Sequence, residues 1–196
     1  GKTLPVKRYL KQGNSYDKAV HNIWPSPHPH LMERNMIKGL HHAAFRCRNS
    51  EETRAFYENF LGLPLAGALE IKETKTGRET FVLHSFYQLD DGSNIAFFEA
   101  PEQEFSFTRQ HDYDLHLALE VSMEHLHEMF EKGKTAEIET RGISDHGFIS
   151  SIYFRDPNGY VVELTARKEN HDDHLHAGNV KARNILADWT SRFHAE

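Results

Sequence analysis

At 196 residues, with 38% hydrophobic and 27% charged positions, the chain can bury one ordinary core, or two small similar modules, without covalent staples. A formal charge of -6 with no clustered basic face excludes a nucleic-acid or anionic-membrane surface. The single cysteine, Cys47, excludes an intramolecular disulfide, and no apolar run approaches the roughly 20 residues that cross a bilayer. With no signal-peptide pattern at the start, the expected setting is reducing and cytoplasmic.

Residues 1–36 are expected to form a polar extension, with the Pro-rich stretch WPSPHPH at 24–30. The segment GLHHAAFRC (39–47) is a short strand, and Asn49 or Ser50 can cap a helix over SEETRAFYENFLG, ended by Gly62 with Pro64 beyond it. ALEIKETKT, RETFVLHSFYQ and NIAFFEA follow as strands, the last two joined by the turn LDDGS. The order then repeats. YDLHLALEV (113–121) is a strand, Ser122 caps a helix over MEHLHEMFEKG ended by Gly133, and AEIETRG, FISSIYF and YVVELTA complete the copy, the last pair joined by the turn RDPNG. Strand–helix–strand–strand–strand, written twice with a period of about 70 residues, is too long for a solenoid and points to a duplicated module. Beyond it, residues 167–196 form a second extension. There Val180, Ile185, Leu186, Trp189 and Phe193 fall at helical spacing, so a short amphipathic helix is expected to dock on another surface.

The duplication lets each polar residue be compared with its twin. His42 lies on the first strand of copy one and His116 on the first strand of copy two. Residues two apart on a strand share a face, so His116, Ala118 and Glu120 look one way while Leu115, Leu117, Leu119 and Val121 pack under the helices. His42, Ala44 and Arg46 share a face by the same count. On the final strands, Glu163 lies four residues after Gly159, whereas four residues after Gly92 comes Ala96. Two histidines and one carboxylate make a three-ligand set with open positions, suited to Fe(II), with Mn(II) or Zn(II) as alternatives. Arg46 is a candidate clamp for an anionic substrate group, its alternative being a salt bridge to Glu120 or another carboxylate. Cys47, next to it on a core strand, reads as a buried small hydrophobe. His41 is expected to face away and pack; His84 and the cluster His171, His174 and His176 read as surface residues.

LHHAAFRC…FYENFLGLPL, DLHLALEV and IYFRDPNGYVVEL together resemble the vicinal oxygen chelate superfamily of glyoxalases, fosfomycin- and bleomycin-resistance proteins and extradiol dioxygenases. The resemblance spans about residues 37–166, with modules at about 37–100 and 112–166. It implies an α+β fold in which two βαβββ modules form an open, barrel-like cleft, flanked by the two extensions. It also implies metal ligands at His42, rather than His41, and at His116 and Glu163. Ala96 stands where glyoxalase I carries a fourth ligand; Glu99 is near but of the wrong parity. Three-ligand dioxygenases of this superfamily carry a tyrosine ten residues before the carboxylate and an acid–base histidine upstream, positions that correspond to Tyr153 and, two residues nearer the carboxylate than expected, His146. The implied function is a dioxygenase-like oxidoreductase that chelates a vicinal diol or catechol on Fe(II); a homodimer, by module exchange or edge pairing between two chains, is expected beside it. The alternatives are a redox-neutral lyase, isomerase or transferase using Mn(II), Zn(II) or Ni(II), and a small-molecule-binding protein without catalysis.

Overall fold

A computed structural model describes residues 37–109 and 111–194. The expected N-terminal extension falls outside these residues. By its contacts the chain divides after Lys38, and the architecture below is that of Gly39–Glu196.

Eight strands form two four-stranded open sheets. The first contains β1 (His42–Arg46), β2 (Leu65–Glu73), β3 (Glu79–Gln88) and β4 (Asn94–Glu99), in the order β1-β4-β3-β2. The second contains β5 (Leu117–Glu120), β6 (Thr140–Asp145), β7 (Ile149–Arg155) and β8 (Val161–Arg167), in the order β5-β8-β7-β6. In each sheet the first strand pairs parallel to the last and the other pairings are antiparallel. A parallel pair needs a crossover, which helix α1 (Ser50–Arg54) and helix α2 (Met123–Thr135) begin in the two modules. The duplicated α+β fold is therefore present as expected.

Asn49 caps α1, accepting from the backbone N–H groups of Glu51 and Glu52; from Ala55 to Phe60 the helix widens into a π-helical stretch. Gly62, at φ +84, takes the left-handed conformation that stops it. Ser122 caps α2 through the His125 N–H. The expected stop at Gly133 is not observed. The helix continues to Thr135, and Glu137, at φ +56, makes the turn instead. This displaces the start of β6 to Thr140, four residues later than the AEIETRG pattern suggests. Gly133 has a packing role: a Cβ there would lie 2.5 Å from Phe154 Cε1 and closer still to Thr140 Oγ1. Gly133→Ala should thus lower stability by about 1–3 kcal/mol despite alanine's better helix propensity. Chemical denaturation of the two proteins measures this, and an unchanged or raised midpoint would show that the contact relaxes freely.

One hydrophobic core serves both modules. Phe56, Tyr57 and Phe60 of the first helix join Tyr87, Ile95 and Phe97 from sheet one, and Leu126, Ile152, Phe154, Val162 and Leu164 from the second module. Phe60 meets Phe154 edge-on with ring centroids 5.1 Å apart. The DPNG turn after β7 fastens the modules with polar contacts as well. The Tyr57 hydroxyl donates to Asp156 Oδ2 at 3.2 Å, Asn158 Oδ1 accepts from the Arg48 N–H at 3.0 Å, and Asn158 Nδ2 donates to Thr53 Oγ1 at 3.2 Å.

Two short helices follow the sheets, α3 (His171–His174) and α4 (Val180–Phe193). The amphipathic helix forms as its spacing implies, but Val180, Ile185, Leu186, Trp189 and Phe193 are all more than half exposed, so nothing among the described residues covers its apolar face. Periodicity marks an apolar face; it does not supply a partner for it. No helix among the described residues is long and apolar enough to cross a membrane.

Candidate metal centre

Register places the twin residues in matching positions. Ala44 of β1 pairs with Ala96 of β4, and Ala118 of β5 pairs with Glu163 of β8. His42 and His116 each lie two residues before these alanines. Phe86 sits opposite Ala96, and Tyr153 sits opposite Glu163. The carboxylate–methyl asymmetry between the copies is therefore positional as well as sequential. Glu99, of opposite parity, accepts from the Ser50 N–H at 2.6 Å and so serves the helix side.

On sheet two the centre is built around Glu163, whose flanking Val162 and Leu164 point into the core while it points away. It is only 5% exposed. His116, directly before β5, brings Nε2 to 3.3 Å from Glu163 Oε2. The other ring nitrogen, Nδ1, lies 2.7 Å from the Asp112 carbonyl oxygen. A carbonyl can only accept, so Nδ1 carries a proton and Nε2 is the atom left to bind something. A bare nitrogen lone pair facing a carboxylate oxygen at 3.3 Å is favourable only with a proton or a cation between them. This donor pair, one imidazole nitrogen and one carboxylate, fits a divalent transition metal.

Tyr153 and His146 meet as well. Tyr153 projects from β7 beside Glu163, and its hydroxyl lies 2.9 Å from His146 Nε2. Burial first, and then the charge of Glu163, push the Tyr153 phenol above its ordinary value, so it stays protonated through neutral pH.

His42 lies apart from this group. It is exposed at the start of β1, with its Nδ1 2.7 Å from His41 Nδ1 and its ring near those of His84 and Phe86. The core explains the separation. Ile95, Phe97 and Tyr87 of sheet one and Val162, Leu164, Ile152 and Phe154 of sheet two share one interior, so the faces carrying His42 and Glu163 are both turned away from it. Among the described residues, no three His, Cys, Asp or Glu side chains are arranged to hold a metal ion.

The other candidates have separate surroundings. Arg46 donates to Gln103 Oε1 and to the Gln103 carbonyl, both at 3.1 Å, while Glu120 pairs with Arg167 at 2.7 Å rather than with Arg46. His41 is exposed instead of packed. His84 is buried, not on the surface. Its Nδ1 bonds the Phe97 carbonyl at 3.0 Å and its ring stacks on Phe98 at 3.7 Å, which satisfies both its polar and its flat faces. Cys47 is buried as expected, and burial raises its thiol pKa. Asp112, whose carbonyl meets His116 Nδ1 and whose carboxylate pairs with Arg141 at 2.6 Å, carries no motif that sequence alone could isolate.

A family profile, Glyoxalase/Bleomycin resistance protein/Dioxygenase superfamily, matches residues 39–164. The chain belongs to this superfamily. Several solved structures share the superfamily fold. The fosfomycin resistance protein FosX from Listeria monocytogenes, solved with Mn(II) and sulfate, is 23% identical, covers 69% of this chain and 98% of its own, and has a TM-score of 0.52. A glyoxylase/bleomycin resistance protein/dioxygenase domain from Frankia sp. EAN1pec is 18% identical over 67% of this chain and 99% of its own, with a TM-score of 0.55. A glyoxalase/dioxygenase from Nostoc punctiforme is 22% identical over 74% of this chain and 100% of its own, with a TM-score of 0.50. No curated protein matches the chain significantly.

Proposed function

We propose that this superfamily member is a metal-dependent enzyme acting on a small vicinal diol or catechol, with His116 and Glu163 of one chain and His42 of a second copy holding the ion. The observation that carries the reading is the buried Glu163 carboxylate facing His116 Nε2 at 3.3 Å while Nδ1 is tied to a backbone carbonyl. The same geometry supports a homodimer as the way to complete the site, because the His42 face and the Glu163 face of one chain both turn away from the shared core.

A divalent cation in this site, Fe(II) in preference to Mn(II), Zn(II) or Ni(II), would supply Lewis acidity for a chelated substrate and, as Fe(II), access to dioxygen. The side chains do the remaining work. His146 takes the proton that a diol loses on binding, being within reach of both solvent and the Tyr153 hydroxyl at 2.9 Å. Tyr153, held in its protonated form, donates to the oxyanion left behind. Arg46, on the His42 face, is assigned to an acidic substituent of the substrate. The FosX neighbour, solved with Mn(II), supports a divalent ion in this fold.

Protein purified without oxygen and loaded with Fe(II) should bind one ion per chain. Its Tm should rise, since ion at about a hundred times Kd contributes roughly 2.7 kcal/mol. Catechols added in an oxygen-electrode cell should then drive oxygen consumption. Bound metal with no oxygen uptake on any diol would move the assignment to a redox-neutral lyase, isomerase or transferase. No uptake of Fe(II), Mn(II), Zn(II) or Ni(II) would leave a binding protein without catalysis.

A further inference from the structure

Arg141 stands opposite Tyr153 in the β6–β7 register, and Tyr153 stands opposite Glu163 in the β7–β8 register. The three side chains therefore lie in one row across the sheet. Just past Arg141 the register shifts between Gly142 and Ser144, and Gly142 takes φ +120, where an added Cβ would lie 2.8 Å from the Ser151 carbonyl oxygen. Such a bulge re-aims the neighbouring side chain. The Arg141 guanidinium lies over the Tyr153 ring, 5.3 Å from its centroid, and Nη2 donates to Asp112 Oδ2 at 2.6 Å. Glu139 is a more distant second carboxylate, 4.0 Å away. Asp112 is also the residue whose carbonyl receives His116 Nδ1 at 2.7 Å.

We infer that Arg141 is a positioning residue for the metal centre: its guanidinium pins Asp112, and the pinned Asp112 carbonyl holds the His116 ring with Nε2 turned to Glu163. The inference rests on the reading of His116 as a ligand. The physical need is specific. Asp112 sits in a connecting segment, outside either sheet, so nothing in the β ladder fixes its carbonyl. A loop carbonyl free to move by an ångström would release the ring about its Cα–Cβ bond, and a misaimed imidazole loses its ion. The guanidinium, planar and always charged, is held from two sides by the carboxylate and by the aromatic face. It therefore links the two flanks of Glu163, the ligand His116 on one side and the proton-handling Tyr153 on the other.

The test uses the full chain with histidine-selective nitrogen-15 labelling, compared with Arg141→Ala, Asp112→Asn and Arg141→Lys. In the metal-free wild type the His116 Nδ1–H resonance should be present and exchange slowly. Arg141→Ala and Asp112→Asn should each speed its exchange by about tenfold, and Mn(II) titration should show a Kd weakened by about tenfold. Arg141→Lys, which keeps the ion pair, should restore most of both. Arg141 is half exposed, so its removal leaves the core intact. Unchanged Nδ1–H exchange in Arg141→Ala, or a wild-type His116 without a proton on Nδ1, would overturn the inference. If the wild type takes up no Mn(II), the metal reading fails, and the exchange measurement still decides the role of Arg141.

Discussion

Replacing Glu163 with glutamine is expected to empty the proposed site while leaving the metal-free fold at least as stable as before. The substitution keeps the side chain's length and removes only its charge. Losing a charged ligand should weaken divalent-metal binding by roughly a hundredfold or more, beyond what the loss of an outer partner costs, and activity should fall with it. Stability should move the other way. Glu163 is 5% exposed, and among the described residues its ion-pair contact is with His116 alone, at 3.3 Å. Removing a buried carboxylate that lacks a full partner relieves a desolvation cost. Metal content and Tm measured side by side read both effects. A Glu163→Gln protein that unfolds more easily without metal would mean that the carboxylate serves the fold.

The largest loss of stability is expected from Asp156→Ala. This carboxylate, buried in the DPNG turn, accepts four hydrogen bonds: from the Asn158 N–H at 2.9 Å, the Tyr160 N–H at 2.7 Å, Asn158 Nδ2 at 3.1 Å and the Tyr57 hydroxyl at 3.2 Å. Burial raises its pKa, and the donors around it oppose that rise. Alanine would orphan three donors at once, one of them on a fully buried tyrosine of the other module, and would leave Asn158 Nδ2 with Thr53 alone. A cost of about 3 kcal/mol, or roughly 10 °C in Tm, is the expected size. Asparagine should rescue only partly, because its NH2 group would face donors. Equilibrium unfolding of the three proteins measures this, and a loss below about 1 kcal/mol for the alanine variant would mean that water satisfies the turn.

Much of this architecture was legible in the amino-acid order. Capping residues, turn dipeptides and strand alternation define two copies of one module. The offset of Glu163 from Gly159, against Ala96 from Gly92, already isolates the carboxylate that the register places opposite Ala118. The His146–Tyr153 contact joins two residues that the superfamily resemblance singles out, although His146 lies two residues nearer the carboxylate than that pattern implies. What stayed hidden has a common cause: strand parity says which face a residue is on, and not which faces meet. The His42 and Glu163 faces were expected in one cleft, yet Phe56, Tyr57 and Phe60 draw the opposite faces of the two sheets into one core. His84 looked like a surface histidine because its partners, a carbonyl on β4 and the Phe98 ring, lie across a strand pair. Gly133 read as a helix stop because sequence cannot distinguish a glycine chosen for its backbone from one chosen for the absence of a side chain. Asp112 acts through its carbonyl, which every residue has.

Metal content of mixed dimers tests the central assignment most directly. His42→Ala and Glu163→Gln chains, each empty alone, are co-expressed with different tags and purified as the doubly tagged species. One ion per mixed dimer is predicted, since the His42 of one chain then meets the intact His116 and Glu163 of the other. Mixed dimers as empty as the parents, or full occupancy in His42→Ala alone, would contradict it.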